Sequence, residues 1–251
     1  MKGSVVAILL GRKGSKGVKN KNTIKILSRP AFYYPILAAL NSKYVDAIFV
    51  STDDEEIMGA VKKFNLGIIN RPRYLCTDKA LFEDALVHAY KEVKKRINKI
   101  PKYIVVLMCN AVTVDASLID EAINLLEKDK NADAAVTVSI FNMYSPLRAR
   151  KKDKRGYLVP FGPFKTLGAV TKLNCDRNSQ GDTYFADMSH SVVRSRCLEN
   201  IEAGLLPQRW MGKKIIPVMN NNGCDIDEEW QIDMSLRWLK NKGFTKDKTI
   251  Y

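Results

Sequence analysis

A glycine- and lysine-rich loop, residues 11–22, follows directly on the apolar segment Ser4–Leu10. Its glycines allow positive φ angles and a close approach of the backbone to a ligand, and exposed N–H groups in such a turn bind anions. Arg12, Lys16 and Lys21 supply the positive charge that a triphosphate and its leaving group require. The loop has neither the GxxxxGK(S/T) nor the GxGxxG pattern. It predicts a triphosphate site of another type, with a flexible basic loop as the alternative.

Two late carboxylates, Asp225 and Asp227, have the spacing expected of a metal-binding pair. In an extended segment, residues i and i+2 place their side chains on the same face. Adjacent carboxylates near phosphate oxygens suit Mg²⁺, which draws charge from a reacting phosphorus. The alternative is that they cap the helix predicted over Glu228–Leu239. Asp53 and Asp54 are equally able to cap a helix, and a cap is our interpretation of Asp54.

The elements that must position these residues alternate between strands and helices. Short apolar runs rich in β-branched residues predict strands, and apolar residues spaced by three or four predict helices. The predicted strands are Ser4–Leu10, Ala47–Val50, Gly67–Ile69, Tyr103–Met108, Ala134–Ile140, Ser189–Arg194 and Lys214–Val218, and the predicted helices are Pro30–Asn41, Asp54–Phe64, Lys79–Ile97, Ala116–Lys128 and Glu228–Leu239. This order is typical of an α/β fold, a three-layer Rossmann-like arrangement with a mostly parallel central sheet. Because ligands bind such sheets at the carboxyl ends of strands, the loops after Leu10, Val50 and Met108 are the predicted site.

Residues 141–185 break the alternation, because they are rich in proline, glycine, basic and aromatic residues and have no long helical pattern. We interpret them as a small inserted lobe of short strands and loops, which acts as a lid or pairs with a second subunit. The core then consists of residues 1–140 and 186–251.

Composition limits the classes of function. The net charge of +14 over 251 residues predicts a polyanionic partner, either a nucleic acid or a phosphorylated small molecule. Five scattered cysteines without a CxxC pair argue against a disulfide framework or structural zinc. No apolar run reaches the length of a membrane span, and residues 1–10 lack the features of a secretory signal, so we expect a cytoplasmic protein. RNA-binding signatures are absent, which argues against a nucleic-acid partner.

The phosphate loop also carries a family resemblance. Read as LxGRKGSKGVxxKN, it resembles the LARxGSKxIxxKN signature of the CMP-sialic acid synthetases and their relatives for other nonulosonic acids, the acylneuraminate cytidylyltransferase family. Three further segments are similar to family blocks: ILAALNSKYVDAIFVSTDDEEI, NRPRYLCTDKALFEDALVHAY and GCDIDEEWQIDMSLRWL. The resemblance covers residues 4–95 well and residues 184–239 loosely.

The resemblance implies a nucleotidyltransferase fold and a reaction in which a hydroxyl of an acidic sugar attacks the α-phosphate of CTP and pyrophosphate leaves. Arg12, Lys21 and Asp227 are then the expected catalytic residues, with Mg²⁺ bound by Asp225 and Asp227. The expected nucleotide-binding residues are Leu10, Gly11, Arg12, Ser15, Lys16, Lys21, Asn22, Arg71, Asp78 and Asn110. The family is commonly dimeric through the inserted lobe, so we expect a homodimer.

Two segments depart from the family pattern, and both concern the acceptor. Met108–Val114 stands where the family has QPTSPLR, and residues 184–192 stand where it has YxxNGAxYI, with Asp187 in place of the asparagine. The expected acceptor-binding residues are Arg177, Tyr184, Asp187 and His190, with His190 also a candidate base. A carboxylate at position 187 repels an acidic sugar unless a cation pairs with it. Two alternatives stay open: a nucleotidylyltransferase for another acidic acceptor or a sugar phosphate, and a basic RNA-binding protein without catalysis.

Overall fold

A central sheet organises the computed structural model, which describes residues 4–14, 17–164 and 174–251 and, at 177 and 178, the backbone alone. The strands within these ranges are β1 (Val5–Leu10), β2 (Lys25–Ile26), β3 (Arg29–Pro30), β4 (Ala47–Thr52), β5 (Gly67–Asn70), β6 (Tyr103–Met108), β7 (Ala134–Ile140), β8 (Arg150–Lys152), β9 (Leu158–Pro160), β10 (Tyr184–Arg194) and β11 (Ile215–Met219). Seven of these described strands form the sheet in the order β11-β7-β10-β6-β1-β4-β5, while β2 pairs with β3 and β8 with β9.

The sheet is mostly parallel, as the sequence predicts. Strand β1 pairs in parallel with β4 and β6, β4 with β5, and β11 with β7. Strand β10 runs antiparallel to both of its neighbours, β6 and β7. Every residue of β1 is buried, because the sheet is covered on both faces.

Helices cover the two faces and complete three layers. They are α1 (Tyr33–Leu40), α2 (Glu55–Lys63), α3 (Phe82–Ile97), α4 (Ala116–Lys128), α5 (Ser195–Glu199) and α6 (Glu229–Lys242). Alternate residues of β1 point to opposite faces, so Leu9 packs in the core formed with α1, α2, α4 and α6, and Leu10 packs in the core formed with α3 and α5. Among the described residues, no helix is long and apolar enough to cross a membrane.

The segment predicted as an inserted lobe lies between β7 and β10 and contains the β8–β9 pair. Strand β10 already begins at Tyr184, which pairs with Ile140, so the chain re-enters the sheet two residues before the predicted core boundary at 186. Within β10, Met188 has a φ of 61° and the register with β7 shifts between Ala186 and Ser191. This irregularity interrupts the strand where it borders the site described below.

The loops after β1, β4 and β6 meet at one edge of the sheet, because these parallel strands all end there. The N–H of Gly11 donates to the carbonyl of Ser51 at 3.2 Å, and the N–H of Cys109 donates to the carbonyl of Leu10 at 2.9 Å. A Cβ atom at position 11 would lie 2.7 Å from the Cβ of Cys109. Gly11 therefore interlocks with the buried Cys109, which gives a physical reason for glycine where the family motif has alanine.

Candidate functional site

A cleft of about 350 Å³ opens at this edge of the sheet, and we call it the nucleotide cleft. Its lining residues are Leu10, Gly11, Arg12, Gly17, Lys21, Asn22, Arg71, Leu75, Ala80, Leu81, Phe82, Ala85, Met108, Asn110 and Asp225. Most of the residues predicted to bind the nucleotide are thus brought together around one space. Ser15 and Lys16, also predicted there, lie outside the described residues. The apolar wall from Leu75 to Phe82 was not among the predictions, since its side chains carry no recognisable chemistry.

Side chains contact the described parts of the phosphate loop, residues 11–14 and 17–22. The buried Asn22 donates its Nδ2 hydrogen to the carbonyl of Arg12 at 2.9 Å. The N–H of Lys13 donates to Oδ1 of Asp53 at 2.7 Å. Asn22, predicted to contact phosphate or ribose, therefore shapes the loop with its amide, and Asp53 has a role that its sequence position did not reveal. Such anchors favour a pre-formed anion site.

The cations of the cleft are paired with carboxylates. Asp78, predicted to line the cleft, is not among its lining residues but contacts Arg12, whose guanidinium lies 2.8 Å from Oδ1 of Asp78. Lys21 forms an ion pair with Asp227. Arg71 donates to the carbonyl of Ser51 at 2.7 Å, and burial lowers the pKa of its guanidinium from its ordinary value. A bound polyphosphate can replace the carboxylates as the ion-pair partner of Arg12 and Lys21.

The two late aspartates lie directly against the phosphate loop. Asn110 donates Nδ2 to Oδ2 of Asp225 at 3.1 Å and to the carbonyl of Ile226 at 3.1 Å. A Cβ atom at Gly17 would lie 2.5 Å from the carbonyl oxygen of Asp227, so the loop packs on this backbone without room for a side chain. The start and the end of the chain thus form a single cleft.

Neither late aspartate is used as a helix cap. Glu228 is the N-cap of α6 and forms a capping box with Gln231, whose Oε1 also accepts the N–H of Asp227 at 2.7 Å. The carboxylates of Asp225 and Asp227 therefore remain directed to other partners. Asp54, in contrast, caps α2 by accepting from the N–H groups of Glu56 and Ile57, as predicted.

The donor set fits a magnesium ion that is shared with a ligand. Within residues 4–14, 17–164 and 174–251, no group of three or more His, Cys, Asp or Glu side chains could hold a metal. Mg²⁺ commonly binds one or two carboxylates and takes its other ligands from phosphates and water. Burial, and then repulsion from Asp227, raises the pKa of Asp225 to about 6. This uncompensated negative charge is the kind that a divalent cation relieves.

A second cleft, of about 680 Å³, adjoins the first, and Asp225 lines both. We call it the acceptor cleft. Its lining residues are Phe141, Met143, Tyr144, Phe185, Ala186, Asp187, Asn221, Asn222, Gly223, Cys224, Asp225, Trp230, Gln231, Met234, Arg237, Trp238 and Asn241. Most of these were not predicted, because they come from separate segments that carry no motif. A ligand in this cleft reaches the phosphate-binding residues at Asp225.

Of the predicted acceptor residues whose side chains the structure describes, only Asp187 lines this cleft. It is buried, its Oδ1 accepts the N–H of Ser189 at 2.9 Å, and no cation pairs with it among the described residues. Burial raises the pKa of Asp187, which favours the neutral acid and weakens the predicted repulsion of an acidic sugar.

The predictions for Tyr184 and His190 are corrected by the structure. Tyr184 lines neither cleft, whereas Phe185, the next residue of β10, lines the acceptor cleft. His190 is buried, its two ring nitrogens have no hydrogen-bond partner, and burial lowers its pKa to about 4. It lines neither cleft and is in no position to bind an acceptor or act as its base. The side chain of Arg177 lies outside the part of the chain that the structure describes.

Several of the relatives found by comparison with known proteins are named for cytidylyl transfer to an acidic sugar. Over 145 residues the chain is 31% identical to the pseudaminic acid cytidylyltransferase and UDP-2,4-diacetamido-2,4,6-trideoxy-beta-L-altropyranose hydrolase of Helicobacter pylori, which covers 57% of this chain and 27% of that protein. It is 35% identical over 89 residues to the N-acylneuraminate cytidylyltransferase of Escherichia coli, covering 36% of this chain and 21% of the relative. The CMP-N,N'-diacetyllegionaminic acid synthase of Campylobacter jejuni is 34% identical over 95 residues, covering 36% and 40%. The matched segments thus span less than half of these relatives.

Solved structures match the fold over nearly the whole chain. A CMP:2-keto-3-deoxy-manno-octonic acid synthetase complexed with CTP superposes with a TM-score of 0.66 at 15% identity, covering 95% of this chain and 99% of the other. A 4-diphosphocytidyl-2C-methyl-D-erythritol synthase has a TM-score of 0.63 at 10% identity, with coverage of 95% and 99%. The family model described as cytidylyltransferase matches residues 6–154, more than half of the sequence. The chain therefore belongs to the cytidylyltransferase family.

Proposed function

We propose that this protein transfers the cytidylyl group of CTP to the anomeric hydroxyl of an acidic sugar of the nonulosonic type and releases pyrophosphate. The observation that carries the proposal is the junction of the two clefts at Asp225, with the phosphate loop on one side and an acceptor-sized space on the other. The names of the matched relatives support CTP and an acidic sugar as the substrates. Because CTP is the donor, we place the reaction in the cytoplasm.

In the proposed step, the acceptor oxygen attacks the α-phosphorus of CTP from the acceptor cleft. A new oxygen–phosphorus bond forms, the bond from the α-phosphorus to the bridging oxygen breaks, and pyrophosphate leaves with that electron pair, while the acceptor hydroxyl releases its proton. Arg12 and Lys21 leave their carboxylate partners and neutralise the charge that grows on the leaving group. Most of the acceleration comes from positioning and electrostatics, and no covalent enzyme intermediate is required.

The proposal includes Mg²⁺ bound by Asp225 and Asp227. Asp225 and Asp227 would hold the ion, which would supply Lewis-acid withdrawal of charge from the reacting phosphorus. Asn110 donates a hydrogen bond to the Asp225 carboxylate and fixes its position. Lys21 pairs with Asp227 until a bound polyphosphate replaces Asp227 as the partner of the lysine. Asp225 thus lies at the boundary of the two clefts, and Asp227 lies beside Lys21 of the nucleotide cleft.

We further propose a homodimer formed through the inserted lobe. Large apolar side chains of this region are exposed, including Tyr157 at 65%, Leu158 at 69% and Phe161 at 64%. A patch of this kind on a charged protein favours contact with a second copy. Sedimentation equilibrium should give a mass near twice that of the chain, and a monomer at micromolar concentration would contradict this part of the proposal.

Pyrophosphate release tests the function. The protein is incubated with Mg²⁺, each of the four nucleoside triphosphates and a panel of nonulosonic acids, octulosonic acids and sugar phosphates. We expect release only with CTP and an acidic sugar. Turnover that is independent of CTP, or that occurs only with sugar phosphates, would refute the proposal.

A matched pair of variants locates the activity. Lys21→Met removes a cation of the nucleotide cleft, whereas Lys19→Met removes an exposed cation of the same loop that lines neither cleft. We expect Lys21→Met to lower kcat/KM for CTP by about 10²-fold and Lys19→Met by less than about threefold.

A further inference from the structure

Helix α6 forms one wall of the acceptor cleft and presents a Trp residue that its own packing does not explain. Trp230, Met234, Arg237 and Asn241 recur at helical spacing, so they follow one face of α6, and all four line the cleft. The Trp230 side chain is 52% exposed. A large exposed aromatic side chain within a concave site is typical of a ligand contact.

Three aromatic rings line the same cleft from the strand side. Phe141, Tyr144 and Phe185 contact one another, with ring centroids 6.1 to 6.3 Å apart. These contacts fix the rings, yet Tyr144 remains 55% exposed and Phe185 38% exposed. The open ring surfaces offer apolar contact and no hydrogen-bond donors to the interior of the cleft, apart from the Tyr144 hydroxyl.

The α6 wall is itself firmly held. The buried Trp238 donates its Nε1 hydrogen to Oδ1 of Asn220 at 2.9 Å, and Asn220 donates to the carbonyl of Thr113 at 2.9 Å. This chain of contacts ties α6 to the loop after β6. Trp230 and Arg237 are therefore carried on a rigid element, which is the arrangement that specificity residues need.

The position of Asp225 fixes the direction in which an acceptor must lie. Its reacting hydroxyl has to meet the α-phosphate where the two clefts join, at Asp225. With a rise of about 1.5 Å per residue, Met234 lies about 6 Å and Arg237 about 10 Å further along α6 than Trp230. This wall therefore extends well beyond the reacting atoms and is suited to contact the distal end of the acceptor.

The chemistry of the wall discriminates between kinds of distal end. Against the rings of Trp230 and Phe185 a hydroxyl group loses its water hydrogen bonds without replacement, so a tail of hydroxyl groups would have to turn to polar lining residues such as Gln231 and Asn241. A methyl group and a planar acylamino group fit such surfaces. Arg237 forms no ion pair or hydrogen bond among the described residues, so its guanidinium is available to donate to an acyl carbonyl.

We propose that Trp230 and Arg237 are specificity-determining residues for an acceptor whose distal end is deoxygenated and carries an acylamino group. Trp230, together with Tyr144 and Phe185, contacts the apolar part of this group, and Arg237 donates to its carbonyl oxygen. The inference rests on the proposed function in one respect, that the acceptor occupies the cleft beyond Asp225.

Calorimetric binding and turnover, measured in parallel, test this assignment. The two probes are N,N'-diacetyllegionaminic acid, whose distal tail is deoxygenated at its end and bears a second acetamido group, and N-acetylneuraminic acid, whose tail carries only hydroxyl groups. Binding is measured in the presence of CMP, which cannot react, and turnover with CTP and Mg²⁺. The variants are Trp230→Ala and Arg237→Met, with Ile100→Ala as the control, because Ile100 is 60% exposed, lies outside the inserted lobe and lines neither cleft.

We expect the wild-type protein to bind the diacetylated acid about tenfold more tightly than N-acetylneuraminic acid. Each cleft variant should lose most of this preference because it binds the diacetylated acid more weakly. KM should change much more than kcat, since the contacts lie far from the reacting atoms. Equal affinities in the wild type, or a preference unchanged in both variants, would overturn the inference. Selective binding without turnover would refute the proposed function and leave the specificity assignment standing. Turnover without selectivity between the two acids would refute the specificity assignment and leave the proposed function standing.

Discussion

The nucleotide cleft and the acceptor cleft share Asp225 but are built in different ways. The phosphate-binding side of the nucleotide cleft is one continuous loop, in which Asn22 donates to the Arg12 carbonyl and the Lys13 N–H donates to Asp53, just after β4. The acceptor cleft is assembled from the end of β7, the irregular part of β10, the segment before α6 and α6 itself. The comparison teaches that donor binding depends on local backbone geometry, whereas acceptor choice depends on side chains that can change independently.

The largest effect is expected where the two clefts meet. Replacing Asp227 by asparagine removes half of the carboxylate pair and the partner of Lys21, so kcat should fall by about 10²–10³-fold. Asp233→Asn is the matched control, because Asp233 is exposed on α6 and lines neither cleft. Steady-state pyrophosphate release measures both variants, and equal losses would show that the site has been misplaced.

The next effect concerns stability and its pH dependence without metal. Because the pKa of Asp225 is raised from 3.8 to about 6, the folded protein holds this proton more tightly than the unfolded chain, and the free energy of unfolding falls as pH rises between these values. Asp225→Asn removes this pH-dependent fall in the free energy of unfolding, so it should stabilise the protein at pH 7 by about 2–3 kcal/mol. The same substitution should abolish activity.

Urea denaturation in EDTA at several pH values tests that prediction. The advantage of Asp225→Asn over the wild type should be small at pH ~4, grow through pH ~6 and then level off. An advantage that is constant across this range would contradict the account of Asp225, because a neutral difference in packing has no reason to follow its titration.

A smaller effect probes the backbone geometry of the nucleotide cleft. Gly11→Ala inserts a Cβ atom against Cys109, so it should destabilise the protein by about 1–3 kcal/mol and raise KM for CTP. In a Cys109→Gly background, Gly11→Ala should lower the free energy of unfolding by clearly less. Chemical denaturation of the wild type, the two single variants and the double variant gives the coupling free energy between the two positions. If the two substitutions had additive effects on the free energy of unfolding, the contact with Cys109 would not be the reason for glycine at position 11.

The smallest effect on stability is expected in the acceptor cleft. Met143 is 63% exposed, so Met143→Ala should change the free energy of unfolding by less than about 0.5 kcal/mol. Its KM for the acceptor should nevertheless change, while KM for CTP stays constant. A large drop in thermal stability would show that this wall belongs to the core and would remove the contrast between the clefts.

Much of the core could be predicted from the sequence, because its strands are buried on both faces and read as continuous apolar runs. The bounds predicted for Tyr103–Met108, Ala116–Lys128 and Ala134–Ile140 are those observed. The start of β10 was missed, since Asp187 and Ser189 interrupt its apolar pattern and Met188 has a left-handed backbone. Its antiparallel direction, too, depends on long-range pairing that no local pattern encodes.

The site divides in the same way. The phosphate loop and the late aspartates have recognisable spacing, and the structure places them against one another. The acceptor residues have no recognisable spacing in the sequence. Phe185, Trp230 and Arg237 come together only when β10 and α6 pack around one cleft. His190 was predicted from its position in the family-like segment 184–192 and from its chemistry, but it is buried and lines neither cleft.

A structure of the protein with CTP and Mg²⁺ tests the central claim most directly. The account predicts the triphosphate along the loop of residues 11–22, the metal ion bound by Asp225 and Asp227 and also by phosphate oxygens, and the α-phosphorus facing the acceptor cleft. A nucleotide bound elsewhere, or a triphosphate that leaves Lys21 on Asp227 and places no metal ion between the aspartates and the phosphates, would contradict it.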